Sequence, residues 1–509
     1  MDASGEVGRE SEEAVADLTP LVEPREGLPP VITSSVELQE AAKALRAGHG
    51  PVALDAERAS GHRYGQRAYL IQIRRAGSGT FLIDPVAQPD LALIDDALAG
   101  VEWVLHAASQ DLACLEEVGL HPRAGLFDTE LAARLLGRPR VGLGPLVADV
   151  LGFSLAKEHS AVDWSTRPLR RSWLVYAALD VEVLLELADA LREELAAAGK
   201  DGVLQQECAH VISQSQADAL PKPDPWRRTS GLHKVRGRRG LAIVQALWHE
   251  RDQIARIHDV HPSRILPDAA LVAAALAMPK RFDDLDSLAE FSTNGARRNQ
   301  RTWWRAVRSA MALPEDDLPA ASSGNDAPPQ PRSWAARDPQ AWARLEAARS
   351  AVSAIAQAQN MPVENVLKPD LLRRLCWQPP RATDADGLAA VMLNAGARPW
   401  QVELVAAAVA EAWAAAAAAG AGADAVAGPS DASEQPRRRR PRRTPAAGAD
   451  ADAAPGPSDA GEQHRQRRAR RAPASPAQTD SGAVARAGSE PSQPRRRRVR
   501  RPAAPGSAD

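Results

Sequence analysis

At 509 residues, with 44% hydrophobic and 25% charged residues, the chain has room for three or four domains and enough apolar content for real cores, which excludes a wholly disordered protein. Cys114, Cys208 and Cys376 lie far apart with no Cys-x-x-Cys pair, which argues against a structural zinc site and fits reduced core thiols in a cytosolic protein. The net charge of −2 conceals a basic end: residues 428–509 hold 18 Arg against 9 acidic residues, a net of +9, and so leave −11 for the rest.

The first 27 residues are acidic and Ser/Glu-rich, without the basic start and apolar core of a signal peptide, and they predict a disordered N-terminus. The next informative segment is Val52-Ala53-Leu54-Asp55-Ala56-Glu57, an apolar run bounded by Gly50, Pro51 and Gly61 to the length of a strand. A period of two puts Asp55 and Glu57 on one face. Two carboxylates so close in an apolar strand repel and lose hydration, unless divalent cations neutralise them or one stays protonated. Trp103-Val104-Leu105-His106-Ala107-Ala108-Ser109-Gln110-Asp111 reads as a strand turning into a helix near Ala108, with Asp111 in the first turn facing the strand ends. Trp173 begins a helical pattern without Gly or Pro, in which Tyr176 and Asp180 are i and i+4 neighbours.

Beyond Pro221-Lys222-Pro223-Asp224-Pro225, a stiff linker, helices are predicted through Leu241 to a turn at Asp259-Val260-His261-Pro262, and Pro267 and Asp268 suit the first turn of another. A Pro/Ser/Asp-rich linker leads to a second helical block, in which Met361-Pro362-Val363-Glu364-Asn365-Val366-Leu367 resembles the turn at His261. The Ala-rich run from Leu404 carries Glu411 and decays into Gly/Ala, so no membrane span is expected and the location is read as cytoplasmic. The tail repeats: Gly428-Pro429-Ser430-Asp431-Ala432 running to Arg442-Arg443 recurs as Gly456-Pro457-Ser458-Asp459-Ala460 running to Arg470-Arg471, and a third basic block follows from Arg495. Such Arg/Pro/Ala composition cannot bury a core and predicts disorder.

An Asp-x-Glu strand, a later Asp and a Tyr-x-x-x-Asp helix, in this order, resemble ribonuclease D in the DEDD superfamily of 3′-to-5′ exonucleases, in its tyrosine subclass because Val175 stands where the histidine subclass has His. Asp128-Thr129, Gly144-Pro145-Leu146 and Asp163-Trp164-Ser165-Thr166-Arg167-Pro168-Leu169 extend the likeness, which covers roughly residues 28–415. Ala56 and Arg58-Ala59-Ser60 depart from it, standing where Thr and an aromatic are usual, and leave the substrate-facing wall unassigned.

The resemblance implies an α/β ribonuclease H-like exonuclease domain, a mixed sheet flanked by helices, followed by two small all-α HRDC-like domains and disordered termini. The expected divisions are 1–27, nuclease 28–215, linker 216–225, HRDC 226–310, linker 311–333, second HRDC-like domain 334–418 and tail 419–509. It also implies that Asp55, Glu57, Asp111 and Asp180 hold two divalent ions, Mg²⁺ or Mn²⁺. Asp55 would bridge them, Glu57 and Asp180 would complete the water-activating site, and Asp111 would help to hold the leaving-group metal. Mg²⁺ or Mn²⁺ suits an all-oxygen shell. Tyr176, with an ordinary pKa of about 10, suits orientation of the attacking water better than general-base work.

Substrate contacts are expected from His106, unless it is simply packed at its strand end, and from Trp226 with the basic cluster Arg227, Arg228, Lys234, Arg236, Arg238 and Arg239 that flanks it, unless these form a solvated helix entry with Trp226 in the core. His62 and Arg67 are further loop candidates. The implied partner is RNA, through single-stranded 3′ ends of structured molecules such as tRNA precursors, with the Arg-rich tail binding RNA or another polyanion. Two rivals stand beside this reading. The first is a DNA exonuclease of the same mechanism, because recognition of the 2′-hydroxyl lies outside the metal site; the second is a non-catalytic RNA-binding scaffold, against which retention of all four carboxylates and Tyr176 counts.

Overall fold

The computed structural model describes residues 18–156, 162–218, 223–321 and 328–426. Most of the acidic N-terminus, the centre of each linker and the Arg-rich tail lie outside the described residues.

The nuclease is built on a six-stranded mixed sheet in the order β2 (Val31–Ile32), β5 (Gly79–Ile83), β4 (Ala68–Ala76), β3 (His49–Arg58), β6 (Trp103–Leu105) and β7 (Leu126–Asp128). β3, β4 and β5 form an antiparallel meander, whereas β6 and β7 add in parallel on the other side of β3. Strand β3 is central because Val52, Ala53 and Leu54 are fully buried between helical layers, and a fully buried side chain the size of Val or Leu contributes roughly 1.5–3 kcal/mol. Its acidic C-terminal half therefore ends inside the molecule. A small parallel pair, β1 (Thr19–Leu21) with β8 (Phe153–Leu155), ties residues 19–21 to the domain. Composition predicts disorder as far as residue 27, and this pairing, with Arg25 donating to Glu186, corrects that expectation from residue 18 onward.

The first helical domain has its own core around Trp226, Leu247, Leu271, Phe291 and Trp303. The second shares one continuous core with the nuclease, which runs from Leu54 and Leu187 to Leu345 and Val405. A buried Arg398–Glu207 ion pair (2.6 Å) and Lys200, whose Nζ donates to the carbonyls of Leu135 and Gln359 (2.5 Å each), bridge the two domains. The expected repeat between the helical domains is visible in the backbone. Asp259 and Asn360 are both left-handed (φ 47° and 46°), a conformation that Asp and Asn tolerate. Leu266 and Leu367 are both extended after a four-residue helix, with φ −153° and −155°.

The last described helix, Pro399–Val426, outruns the expected boundary at 418. Among the described residues its stretch Pro399–Ala419 is the one helix long and apolar enough to cross a membrane. Trp400, Val405, Val409 and Trp413 of that stretch are buried in the shared core. All three cysteines are free and buried, as expected of core thiols.

Candidate active site

Three elements bring the acidic residues together. Strand β3 carries Asp55 and Glu57 on one sheet face. The helix Arg171–Glu182 packs over that face through Trp173, Ala177 and Ala178, and Trp173 is braced by the buried ring of Trp164, centroids 5.6 Å apart. That helix places Asp180 so that one carboxylate oxygen each of Asp55, Glu57 and Asp180 lies within 4.8 Å of the others. The Tyr176 hydroxyl, one turn earlier, hydrogen-bonds to Asp180.

Asp111 arrives from a strand–turn–helix. After β6 the chain turns through Ala107, left-handed at φ 58°, into a short 3-10 turn (Ala108–Gln110), and Asp111 joins that turn to the helix Leu112–Glu117. A non-glycine residue in this conformation needs support. Buried Asp128 supplies it: the carboxylate accepts from the backbone N–H of Ala107 (3.1 Å) and Ala108 (2.9 Å) while capping the next helix at Glu130 (2.9 Å) and Leu131 (3.2 Å). An interior N–H left unpaired costs about 1–3 kcal/mol. Asp128 is thus a positioning residue; the sequence showed it as part of the family pattern, ahead of a helix, but not what it holds.

The four carboxylates and Tyr176 line a cavity of about 290 Å³ with Arg58, Ser60, His106 and Gln110. Burial raises all four carboxyl pKa values above the ordinary range, and the charge of neighbouring carboxylates pushes Glu57, Asp111 and Asp180 up further. Arg58, with Nη2 3.5 Å from Asp111 Oδ1, acts in the opposite direction on Asp55, Glu57 and Asp111. Burial, and then the charge of Asp180, Glu57 and Asp55, raise the Tyr176 phenol well above its usual value, so it stays protonated. His106 hydrogen-bonds through Nδ1 to Thr129 Oγ1 (2.9 Å). Burial lowers its pKa to about 4, which leaves the imidazole neutral.

This donor set fits hard divalent cations: it offers oxygen ligands only, converging and short of positive charge. Gln72, opposite Asp55 in the β3–β4 register and 0% exposed, has an amide without a hydrogen-bond partner among the described residues. A buried orphan beside the cluster points to a polar group that completes the site.

The basic cluster of the first helical domain is not at this centre. Trp226 is 1% exposed in its own domain core, so no ring face is open to a substrate, which corrects its expected place among the substrate contacts. Arg227 lies over that ring at 4.3 Å, pairs with Asp224 and donates to the Ala320 carbonyl. Arg238 and Arg239 are likewise held by carbonyls between Ala310 and Pro319. Arg228, Lys234 and Arg236 are exposed.

The same domain reaches the active site in another way. Behind the acidic pair, the loop 59–67 is gripped by the end of the helix Arg238–His258 and the turn after it. Arg264 Nε donates to the Gly61 carbonyl (2.7 Å), the His261 N–H to the His62 carbonyl (3.0 Å), and the Tyr64 hydroxyl to Asp252 (2.9 Å). His62 faces Arg264 (2.8 Å) and Asp163 (3.4 Å), and the Arg67 guanidinium covers the Tyr69 ring at 4.8 Å. Both loop candidates are therefore engaged within the protein.

Comparison with known proteins agrees with this architecture. Residues 29–196 match a 3′-5′ exonuclease family, 240–307 the HRDC domain and 327–413 a 3′ to 5′ exonuclease C-terminal domain. Ribonuclease D of Escherichia coli (strain K12) is 32% identical over 292 residues, 57% of this chain and 76% of that protein. A crystal structure of a protein from Bifidobacterium adolescentis is 38% identical with a TM-score of 0.71, over 78% of this chain and 99% of that one. The crystal structure of Escherichia coli RNase D, described as an exoribonuclease involved in structured RNA processing, is 26% identical with a TM-score of 0.59, over 75% and 98%. With three-quarters of that curated relative spanned, the converging carboxylates have a family to which they belong, and the chain is a member of the ribonuclease D family.

Proposed function

We propose that this protein is a metal-dependent 3′-to-5′ exoribonuclease that trims the 3′ ends of structured RNA, tRNA precursors among them, and releases nucleoside 5′-monophosphates. The observation that carries the reading is the convergence of Asp55, Glu57 and Asp180 within 4.8 Å, with Tyr176 bonded to Asp180. Two divalent ions, Mg²⁺ or Mn²⁺, held by these three carboxylates and Asp111, would supply positive charge at the scissile phosphate and lower the pKa of the attacking water.

The protein's own groups do the rest. In the reaction a water oxygen attacks phosphorus and the bond to the 3′ oxygen of the penultimate nucleotide breaks, so the shortened RNA keeps a 3′-hydroxyl. The protonated Tyr176 phenol acts as a hydrogen-bonding group that fixes the water's line of approach, because a phenol raised so far above neutrality is no base. Neutral His106, on the cavity wall, offers the lone pair of its other ring nitrogen to the terminal nucleotide, because Thr129 Oγ1 donates to the Leu105 carbonyl and so accepts the Nδ1 proton. Exposed Arg228, Lys234 and Arg236 supply a phosphate-binding surface away from the cavity.

Asp55→Asn tests the assignment. Turnover on single-stranded RNA should fall by about 10³-fold or more, because charge stabilisation by the ions is worth several kcal/mol, while RNA binding measured by fluorescence anisotropy stays near wild type. Hydrolysis that survives the substitution would remove Asp55 from the centre.

A further inference from the structure

The sheet register breaks immediately after the acidic pair. Glu57 stands opposite Leu70 and Arg58 opposite Ala68, so β4 contributes one extra residue, Tyr69. Regular alternation would send Arg58 to the face away from Glu57. A bulge re-aims side chains at the end of a strand. The Arg58 guanidinium instead lies 3.5 Å from Asp111 with a quarter of its side chain exposed, on the wall of the cavity that holds the four carboxylates. No other Lys or Arg lines that cavity among the described residues.

We propose that Arg58 is a substrate-binding residue of this centre, whose guanidinium takes the non-bridging oxygens of the scissile phosphate and rests on Asp111 until RNA arrives. This rests on the exonuclease reading above. Arg suits the task because its planar fork matches phosphate geometry and its charge survives at every working pH.

Formal charge supports the assignment. Fully ionised, the four carboxylates and Arg58 sum to −3. Two divalent ions would bring the centre to +1, and a phosphodiester's single negative charge would bring it to neutrality. Without the guanidinium the loaded centre would be neutral before RNA bound and negative afterwards, in a half-enclosed site where such a difference is poorly screened. The contact with Asp111 also has a consequence for the free enzyme: Arg58 and a cation compete for one carboxylate.

The test compares full-length wild type with Arg58→Ala, Arg58→Gln and Arg58→Lys. Mn²⁺ affinity is measured by calorimetry without RNA, and kcat/KM at saturating Mn²⁺ on a 5′-labelled oligoribonucleotide. The Ala and Gln variants should lose on the order of 10²-fold in kcat/KM, the effect of removing one donor to developing charge, and Lys should recover part of it. Their Mn²⁺ affinity should be equal to or tighter than that of wild type, because a competing cation is gone. A parallel loss of Mn²⁺ affinity would mean that Arg58 orders Asp111 and not RNA, and would overturn the proposal. Unchanged kcat/KM in an active enzyme would overturn it alone, whereas an inert wild type that still binds Mn²⁺ would overturn the exonuclease reading and this inference with it.

Discussion

Asp55, Glu57, Asp111 and Asp180 are held where burial and mutual repulsion act in the same direction, so each binds a proton more tightly than a free carboxyl. Stability linked to these protons is present at low pH and is lost as pH rises through the raised values, unless cations take the protons' place. Affinity for Mn²⁺ should therefore rise with pH across neutrality, with protons released on binding. Calorimetry in two buffers of different ionisation enthalpy measures that release; a pH-independent affinity without proton release would contradict this origin of the raised values. The pairing of Asp55 with Glu57 and of Tyr176 with Asp180 was legible in the sequence, because Asp-x-Glu on a strand and Tyr-x-x-x-Asp on a helix are spacings that period alone converts into shared faces, whereas Asp111 was singled out by the family resemblance. The place of Arg58 was not legible, since its contact with Asp111 joins the end of one strand to a turn 53 residues on, which no periodic pattern announces. Trp226 misled for a related reason: an aromatic among arginines reads the same whether its ring is bare or covered by one of them.

Among the elements, the loop 59–67 joins the acidic strand to a domain almost 200 residues away, through Arg264, His261 and Asp252. The first helical domain thus does more than present basic side chains, since it also holds the loop that follows Arg58 and carries Ser60 into the cavity wall. Arg264→Ala removes the bond to the Gly61 carbonyl and the contact with His62 together. It should speed hydrogen exchange at the amides of residues 61–64 and lower kcat/KM about tenfold, a loss of the size expected when a reacting group is displaced by a fraction of an ångström. Mn²⁺ affinity should not move, because none of the four proposed ligands sits on that loop. Unchanged exchange would show that the grip is incidental. The helical repeat itself was readable from Pro362 to Leu367, where proline placement and a following apolar residue encode the same turn as at Pro262. The grip was not, because it pairs loop residues with no periodic pattern to announce them.

For the molecule as a whole, charge is distributed by segment: residues 1–427 carry −11 and residues 428–509 carry +9. The test of the expectation that this basic segment binds RNA is its removal. Removing residues 428–509 should weaken RNA binding and flatten its dependence on salt, since every phosphate no longer paired with an arginine takes about one released counterion out of the slope. An unchanged slope would reduce the tail to a spacer. Composition announced this segregation directly, whereas the continuous core of nuclease and second helical domain was hidden, because Arg398 and Glu207 look like surface charges until the fold buries them against each other.

The most direct test is digestion of matched 5′-labelled single-stranded RNA and DNA with Mg²⁺ or Mn²⁺, with Asp55→Asn protein as the control for contaminating nuclease. A metal-dependent exoribonuclease should give a 3′-to-5′ ladder on RNA that chelator abolishes and Asp55→Asn lacks. A ladder on DNA with RNA untouched, or no ladder on either while RNA binding persists, would contradict that function.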